Sequence, residues 1–239
     1  MTESLTIDRQ AGRWTFTLNR PEKRNALSQT LVEALIEGVE SAHAQGIPLL
    51  VFRGAGKNLS AGFDFTEYEA QSEGDLVLRM VRIETLLQLV SSSAALTVGL
   101  AHGKNFGAGV DLFAACKLRY CTPDASFRMP GLKFGLVLGT RRFRNIVGAG
   151  HALSILGSAR GFQAEEALRI GFVASAVPEN EWDGLLRDAE QTALALAPNT
   201  RACLYAALAS NDNEADMAAL VRSASRPGFK QRIQQYLAG

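Results

Sequence analysis

Two short glycine-rich stretches and one carboxylate hold most of the chemistry this sequence offers. The first stretch is Lys57-Asn58-Leu59-Ser60-Ala61-Gly62-Phe63-Asp64-Phe65. The second is Gly103-Lys104-Asn105-Phe106-Gly107-Ala108-Gly109-Val110-Asp111. Small residues let a ligand approach the backbone closely. A loop that runs into a helix start also offers unpaired N–H groups at the positive end of a dipole. Two such loops converging would make a site for an oxygen on which negative charge develops. As structure alone, the same stretches are tight turns followed by helix starts, and Asp111 is a helix-start carboxylate favoured by the dipole. Both readings stay open on these residues alone.

The elements that must position these loops can be read from periodicity. Leu5 and Ile7, then Trp14, Phe16 and Leu18, alternate with polar residues as strands do, and Ala11-Gly12 is the turn between them. Ser28 caps a helix that runs to about Gln45, with Leu31, Leu35, Ile36 and Val39 on its apolar face. Leu49-Leu50-Val51-Phe52 is a continuous apolar run, as expected of a strand covered on both faces, and it leads into the first loop. A helix over Leu76–Leu89 and a buried strand over Ala94–Leu100 lead to the second loop, which opens the helical stretch Val110–Cys116. Short strands at 118–121 and 126–129 follow, around a Pro123-Asp124 turn. From about Arg142 onward the pattern is helical, beginning with one helix over Phe143–Leu156. Alternating strands and helices followed by helices alone predict an α/β core with a helical C-terminal part.

Composition excludes several function classes. The chain has 239 residues, a hydrophobic fraction of 47% and a formal net charge of +1, so no overall field recruits nucleic acid or an anionic membrane. No apolar run reaches bilayer length, and the opening MTESLTIDRQ lacks the pattern of a signal peptide. Cys116, Cys121 and Cys203 have no zinc-ligand spacing, and His43, His102 and His151 are singletons. These features predict a cytoplasmic protein without a bound metal. Gly54-Ala55-Gly56-Lys57-Asn58 lacks the leading glycine and the Ser/Thr of a P-loop, and neither a dinucleotide fingerprint nor a nucleophile elbow is present.

Leu18-Asn19-Arg20-Pro21-Glu22-Lys23-Arg24-Asn25-Ala26-Leu27-Ser28 resembles the opening signature of the crotonase (enoyl-CoA hydratase/isomerase) superfamily. Ser60-Ala61-Gly62-Phe63-Asp64 is similar to that family's first oxyanion loop, and Gly107-Ala108-Gly109-Val110-Asp111 to its second. Asp124-Ala125-Ser126-Phe127, Phe134-Gly135-Leu136-Val137 and the segment Ala164–Val173 follow in the family's order, so the resemblance covers roughly residues 5–190. It implies a crotonase-like spiral of ββα turns over residues 1–190 and a helical trimerisation region over 191–239, assembled as a homotrimer or homohexamer. It also implies an acyl-CoA thioester substrate, with its carbonyl oxygen between the N–H groups of Phe63 and Ala108. Lys23, Arg24, Ala26, Ala61, Asp64 and Phe65 would line the path of the CoA moiety, which enters as part of the substrate; no separate cofactor is implied.

The sequence departs from the family pattern at the proton-transfer positions. Family hydratases carry two glutamates that hold a water between them. Here the first position is Asp111 and the second, after Met129-Pro130, is Gly131. Asp111 is therefore the expected general acid/base of an enoyl-CoA hydratase/isomerase. Two alternatives stay open, an acyl-CoA decarboxylase or hydrolase and a non-catalytic thioester binder. Arg141, Arg142 and Arg144 could hold a substrate carboxylate, or form a solvated helix face or subunit contact. Three small residues usual before Thr140 are missing, and Lys230 or Arg232 is a candidate to replace the family's basic tail at the CoA.

Overall fold

The alternating apolar residues at the start of the chain fold as a hairpin, β1 (Leu5–Arg9) against β2 (Arg13–Leu18), with Leu5 opposite Leu18 and Arg9 opposite Trp14. The computed structural model describes residues 3–210 and 212–239. Residues 1, 2 and 211, which fall within the two stretches expected as core and C-terminal region, lie outside the described residues. From β2 onward the main sheet is parallel, through β3 (Leu49–Gly54), β4 (Leu96–Ala101), β6 (Leu118–Cys121) and β9 (Ser175–Ala176), in the order β1-β2-β3-β4-β6-β9. A second sheet joins β5 (Lys104–Phe106), β7 (Ser126–Arg128) and β8 (Gly161–Gln163). The very short β5, β8 and β9 have no readable sequence periodicity; pairing with neighbouring strands makes them strands.

The continuous apolar run in β3 is explained by two covered faces. Leu50 and Phe52 join the core beneath α1 (Gln29–Ala44) and α2 (Glu73–Ser91), while Leu49 and Val51 meet Trp182, Leu186, Ala189 and Ala193 of α7 (Trp182–Leu194). Ser28 accepts the Leu31 N–H at the start of α1, and Ser72 and Asp75 form a reciprocal capping box at the start of α2. In β4, Gly99 leaves room for α3 (Ala108–Ala115), since a Cβ there would lie 2.7 Å from the Phe113 ring. A third core packs Phe113, Phe127, Phe143, Phe162 and Phe172 against one another, with ring centroids 5.3–5.9 Å apart in the contacting pairs.

The helix expected over Phe143–Leu156 is two helices, α4 (Thr140–Val147) and α5 (Ala149–Ser158). They part at Gly148, whose φ of 81° is one only glycine adopts freely. After α6 (Ala164–Arg169) and α7, the chain ends in α8 (Pro198–Leu208), α9 (Asn213–Ala224) and α10 (Phe229–Ala238), the expected helical C-terminal part. Helix α9 packs on α2, and α10 closes over the turn at Gly131–Phe134.

Candidate active site

The first glycine loop is held along one edge by the segment that precedes α1. Leu27 N donates to Gly62 O at 2.7 Å and Asp64 N to Leu27 O at 3.4 Å, a parallel bridge around Phe63. That pairing turns the N–H and C=O of Phe63 to the opposite edge. The second loop runs along that edge, where Phe106 N donates to Ser60 O at 3.1 Å. A Cβ on Gly62 would stand 2.5 Å from Phe106 O and 3.1 Å from Ala108 N, so the two loops touch with nothing between them. Ala108 opens α3, where no carbonyl of a preceding turn can accept its N–H. Among the described residues, neither the Phe63 nor the Ala108 N–H meets a protein acceptor.

Three buried asparagines fix this arrangement. Asn25 Nδ2 donates to Ala55 O at 2.8 Å and Asn58 O at 2.9 Å. Asn58 Nδ2 bridges Arg24 O and Lys104 O, and Asn105 Oδ1 accepts from Leu59 N at 3.0 Å. Ser60 Oγ donates to Asn25 O at 2.7 Å and accepts from Gly62 N at 3.1 Å. Arg79 of α2 adds a clamp, its guanidinium 4.1 Å from the Phe63 ring centroid and its Nη2 2.7 Å from Asp64 O. In the sequence, Asn58 and Asn105 are signalled by the Lys-Asn pair that both glycine loops carry, Lys57-Asn58 and Lys104-Asn105, and Asn25 by its place in the Leu18–Ser28 signature.

Phe63, Ala108 and Asp111 line one cavity of about 390 Å³. Ala108 and Asp111 are three residues apart in α3, which sets them on one helix face. Lys23, Arg24, Ala61 and Phe65 line the same cavity; Lys23 and Arg24 are exposed to solvent. Its apolar walls include Met80, Leu136, Leu138 and Leu156. An aromatic row runs Phe63, Phe65, Phe134 and Tyr236, with successive centroids 5.0, 6.5 and 5.1 Å apart. Asp111 is the one carboxylate among the described residues that line it, and Gly131 lies in the same wall.

Asp111 is buried at 3% exposure, and its Oδ1 has no protein partner. Burial pushes its carboxyl well above the usual carboxylate range. Arg142 pulls it partly back, and Glu84 pushes it further up. Gly139 packs directly on this carboxyl, because a Cβ there would overlap Oδ1 at 1.9 Å.

Several residues singled out in the sequence lie elsewhere. Ala26 and Asp64 do not line the cavity. Arg20 Nη1 donates to Ala26 O and to Asp64 Oδ2, both at 2.7 Å, so this pair fastens the signature segment to the loop from behind. Burial raises the Asp64 carboxyl, but hydrogen bonds from Thr66 and Arg20 outweigh it and hold the group below its usual range. Arg141 and Arg142 are not a solvated face. Arg141 pairs with Asp216 at 3.2 Å and Asp212 at 3.7 Å, and Arg142 pairs with Glu84 at 3.0 Å and Asp216 at 3.7 Å. Arg144 is exposed. Lys230 and Arg232 bind backbone carbonyls, Lys230 those of Glu69 and Gln71 and Arg232 those of Phe134 and Ser223, so both anchor α10. His102 bonds Gly56 O at 2.9 Å, away from the cavity. No helix of the described residues is long and apolar enough to cross a membrane.

Comparison with known proteins agrees with this geometry. Residues 8–234 match the family model described as Enoyl-CoA hydratase/isomerase. A Mycobacterium tuberculosis protein named as an enoyl-CoA hydratase, echA6, is 35% identical over 187 residues, which is 77% of this chain and 72% of that protein. The rat mitochondrial Delta(3,5)-Delta(2,4)-dienoyl-CoA isomerase is 31% identical over 180 residues, 69% of this chain and 55% of the relative. A solved Bordetella parapertussis structure that carries the name enoyl-CoA hydratase/isomerase is 66% identical, superposes with a TM-score of 0.98 and covers 99% of both chains. With its fold, its paired loops and these relatives in agreement, the chain belongs to the enoyl-CoA hydratase/isomerase family, the crotonase superfamily of acyl-CoA-processing enzymes.

Proposed function

We propose that the enzyme binds an acyl-CoA thioester with its carbonyl oxygen between the N–H groups of Phe63 and Ala108, and shifts an enoyl double bond through Asp111. The observation that carries this reading is the lone carboxylate among the described residues of the cavity wall: Asp111 lines the cavity, and Gly131 offers no second acid or base. The two N–H groups stabilise the enolate oxygen, each donor contributing ~3–4 kcal/mol in a preorganised site. The Asp111 carboxylate takes the C2 proton of a 3-enoyl-CoA and returns it at C4. The double bond thereby moves from C3–C4 to C2–C3, and no water is consumed. Hydration would need a second group to hold and deliver water, which glycine cannot do.

Exposed Lys23 and Arg24 suit the phosphates of CoA, Ala61 and Phe65 its path inward, and the apolar walls an unsubstituted acyl chain. Assembly as a homotrimer or homohexamer is part of the reading, supported by exposed leucines at Leu153 (76%), Leu208 (75%) and Leu194 (60%). A cytoplasmic setting is supported by three cysteines that are all free.

The test compares 3-enoyl-CoA isomerisation with crotonyl-CoA hydration by the purified enzyme. Isomerisation is expected to dominate, and hydration of equal efficiency would overturn the assignment. Asp111→Ala is expected to lower kcat by ~10²–10⁴-fold while calorimetric acyl-CoA binding persists. Unchanged turnover would remove Asp111 from the mechanism.

A further inference from the structure

Gly139, which packs on the Asp111 carboxyl, caps the start of α4, and three residues on, Arg142 of that helix enters a buried cluster of charges that the proposed reaction does not itself use. Glu84 of α2, at 1% exposure, accepts from Arg142 Nη2 of α4 at 3.0 Å, and Asp216 of α9 stands 3.7 Å from the same guanidinium nitrogen. Arg141 turns to Asp216 at 3.2 Å. Oε2 of Glu84, Nη1 of Arg142 and Oδ1 of Asp111 are all buried without a protein partner. Glu84 and Asp216 thus take up the two guanidiniums, and the Asp111 carboxyl, with no ion-pair partner among the described residues, is left out. Asp212, at the exposed end, takes part of Arg141 as well.

We propose that Glu84 and Arg142 are positioning residues that govern the proton on Asp111. Glu84 keeps Arg142 from neutralising the catalytic carboxylate, and its own charge opposes a second charge beside it. Asp111 therefore retains the proton affinity that a carbon acid demands of its base. Other charges around α3 are engaged or distant. Arg79 is spent on Asp64 O and Gln71, Arg82 on Glu33, β4 carries no charged residue, and Lys104 of β5 is exposed. On the cavity side the cations are Lys23 and Arg24, both exposed. The proposal rests on Asp111 being the acid/base group, so its test must not depend on turnover.

The experiment is a pH titration of ¹³C-labelled aspartate carboxyls by NMR, with the Asp111 signal assigned by its loss in Asp111→Asn. In the isosteric Glu84→Gln, Arg142 is freed toward Asp111, and the Asp111 midpoint is expected to fall by roughly 1–3 pH units. Asp216→Asn, at a less buried position, should move it the same way by a smaller amount, which keeps the test open if Glu84→Gln does not fold. A midpoint unchanged in both variants would overturn the proposal. A midpoint that moves while the acidic limb of kcat/KM stays fixed would support the charge coupling and overturn instead the assignment of Asp111 as the base.

Discussion

At the scale of single residues, the burial of Asp111, the acid/base group proposed above, costs the fold stability. Its folded carboxyl is held above the ordinary value of 3.8, burial being the largest cause. The sign follows directly. Below about pH 4 both folded and unfolded chains are protonated and nothing is lost. As pH rises, the unfolded chain ionises first, and the fold loses stability until Asp111 itself ionises. Asp111→Asn should therefore match the wild type near pH 4 and exceed it in stability at neutral pH. Urea unfolding at the two pH values checks this, and a gap that fails to widen would mean the carboxylate is well compensated. The same carboxyl must be ionised to act as base, so activity should climb with pH through a midpoint above the usual carboxylate range. Gly131 offers a complementary substitution. Its φ is not in the left-handed region, and a Cβ would meet Leu136 O at 3.3 Å, a contact that needs only a small adjustment. Gly131→Glu should therefore fold and raise crotonyl-CoA hydration relative to isomerisation, as initial rates on the two substrates would show.

At the scale of elements, the site is a contact between two loops rather than a property of either one. Gly62 combines a φ of 85° with a would-be Cβ only 2.5 Å from Phe106 O. Gly62→Ala should cost about 1–2 kcal/mol for the left-handed backbone and a further ~1–3 kcal/mol for the overlap. It should push Phe63 away from Ala108, so kcat should fall more than KM rises. Steady-state kinetics on a folded sample tests this, and an unaltered kcat would show that the spacing of the two N–H groups does not matter. Helix α3 was legible because glycines and small residues precede an apolar run. The break between α4 and α5 was not, because the apolar pattern runs through Gly148 and only its positive φ ends the helix.

At the scale of the whole molecule, distant elements meet at the cavity. Tyr236 and Leu237 of α10 complete its wall, although they lie more than a hundred positions after Asp111. Lys230 and Arg232 hold that helix down through backbone carbonyls. The proposed homotrimer or homohexamer, for which the leucines left exposed on α5, α7 and α8 offer apolar contact surface, predicts a light-scattering mass three or six times the chain's 25.7 kDa. A monomer at micromolar concentration would reject the oligomeric part of the reading.

What the sequence determined by itself was local. Glycine permits close approach, serine caps a helix, apolar alternation makes strands, and ordered motifs identify the two loops, Phe63, Ala108 and Asp111. What the tertiary structure decided depends on contacts between residues far apart in the chain. Asp64 reads as a ligand-path residue until Arg20, 44 positions away, is found holding it. Arg142 reads as a surface cation until Glu84, 58 positions away, is found beside it. A charge shows its role only once its partners and its burial are known, because both set the free energy of its ionised form. Neither is written in the local sequence.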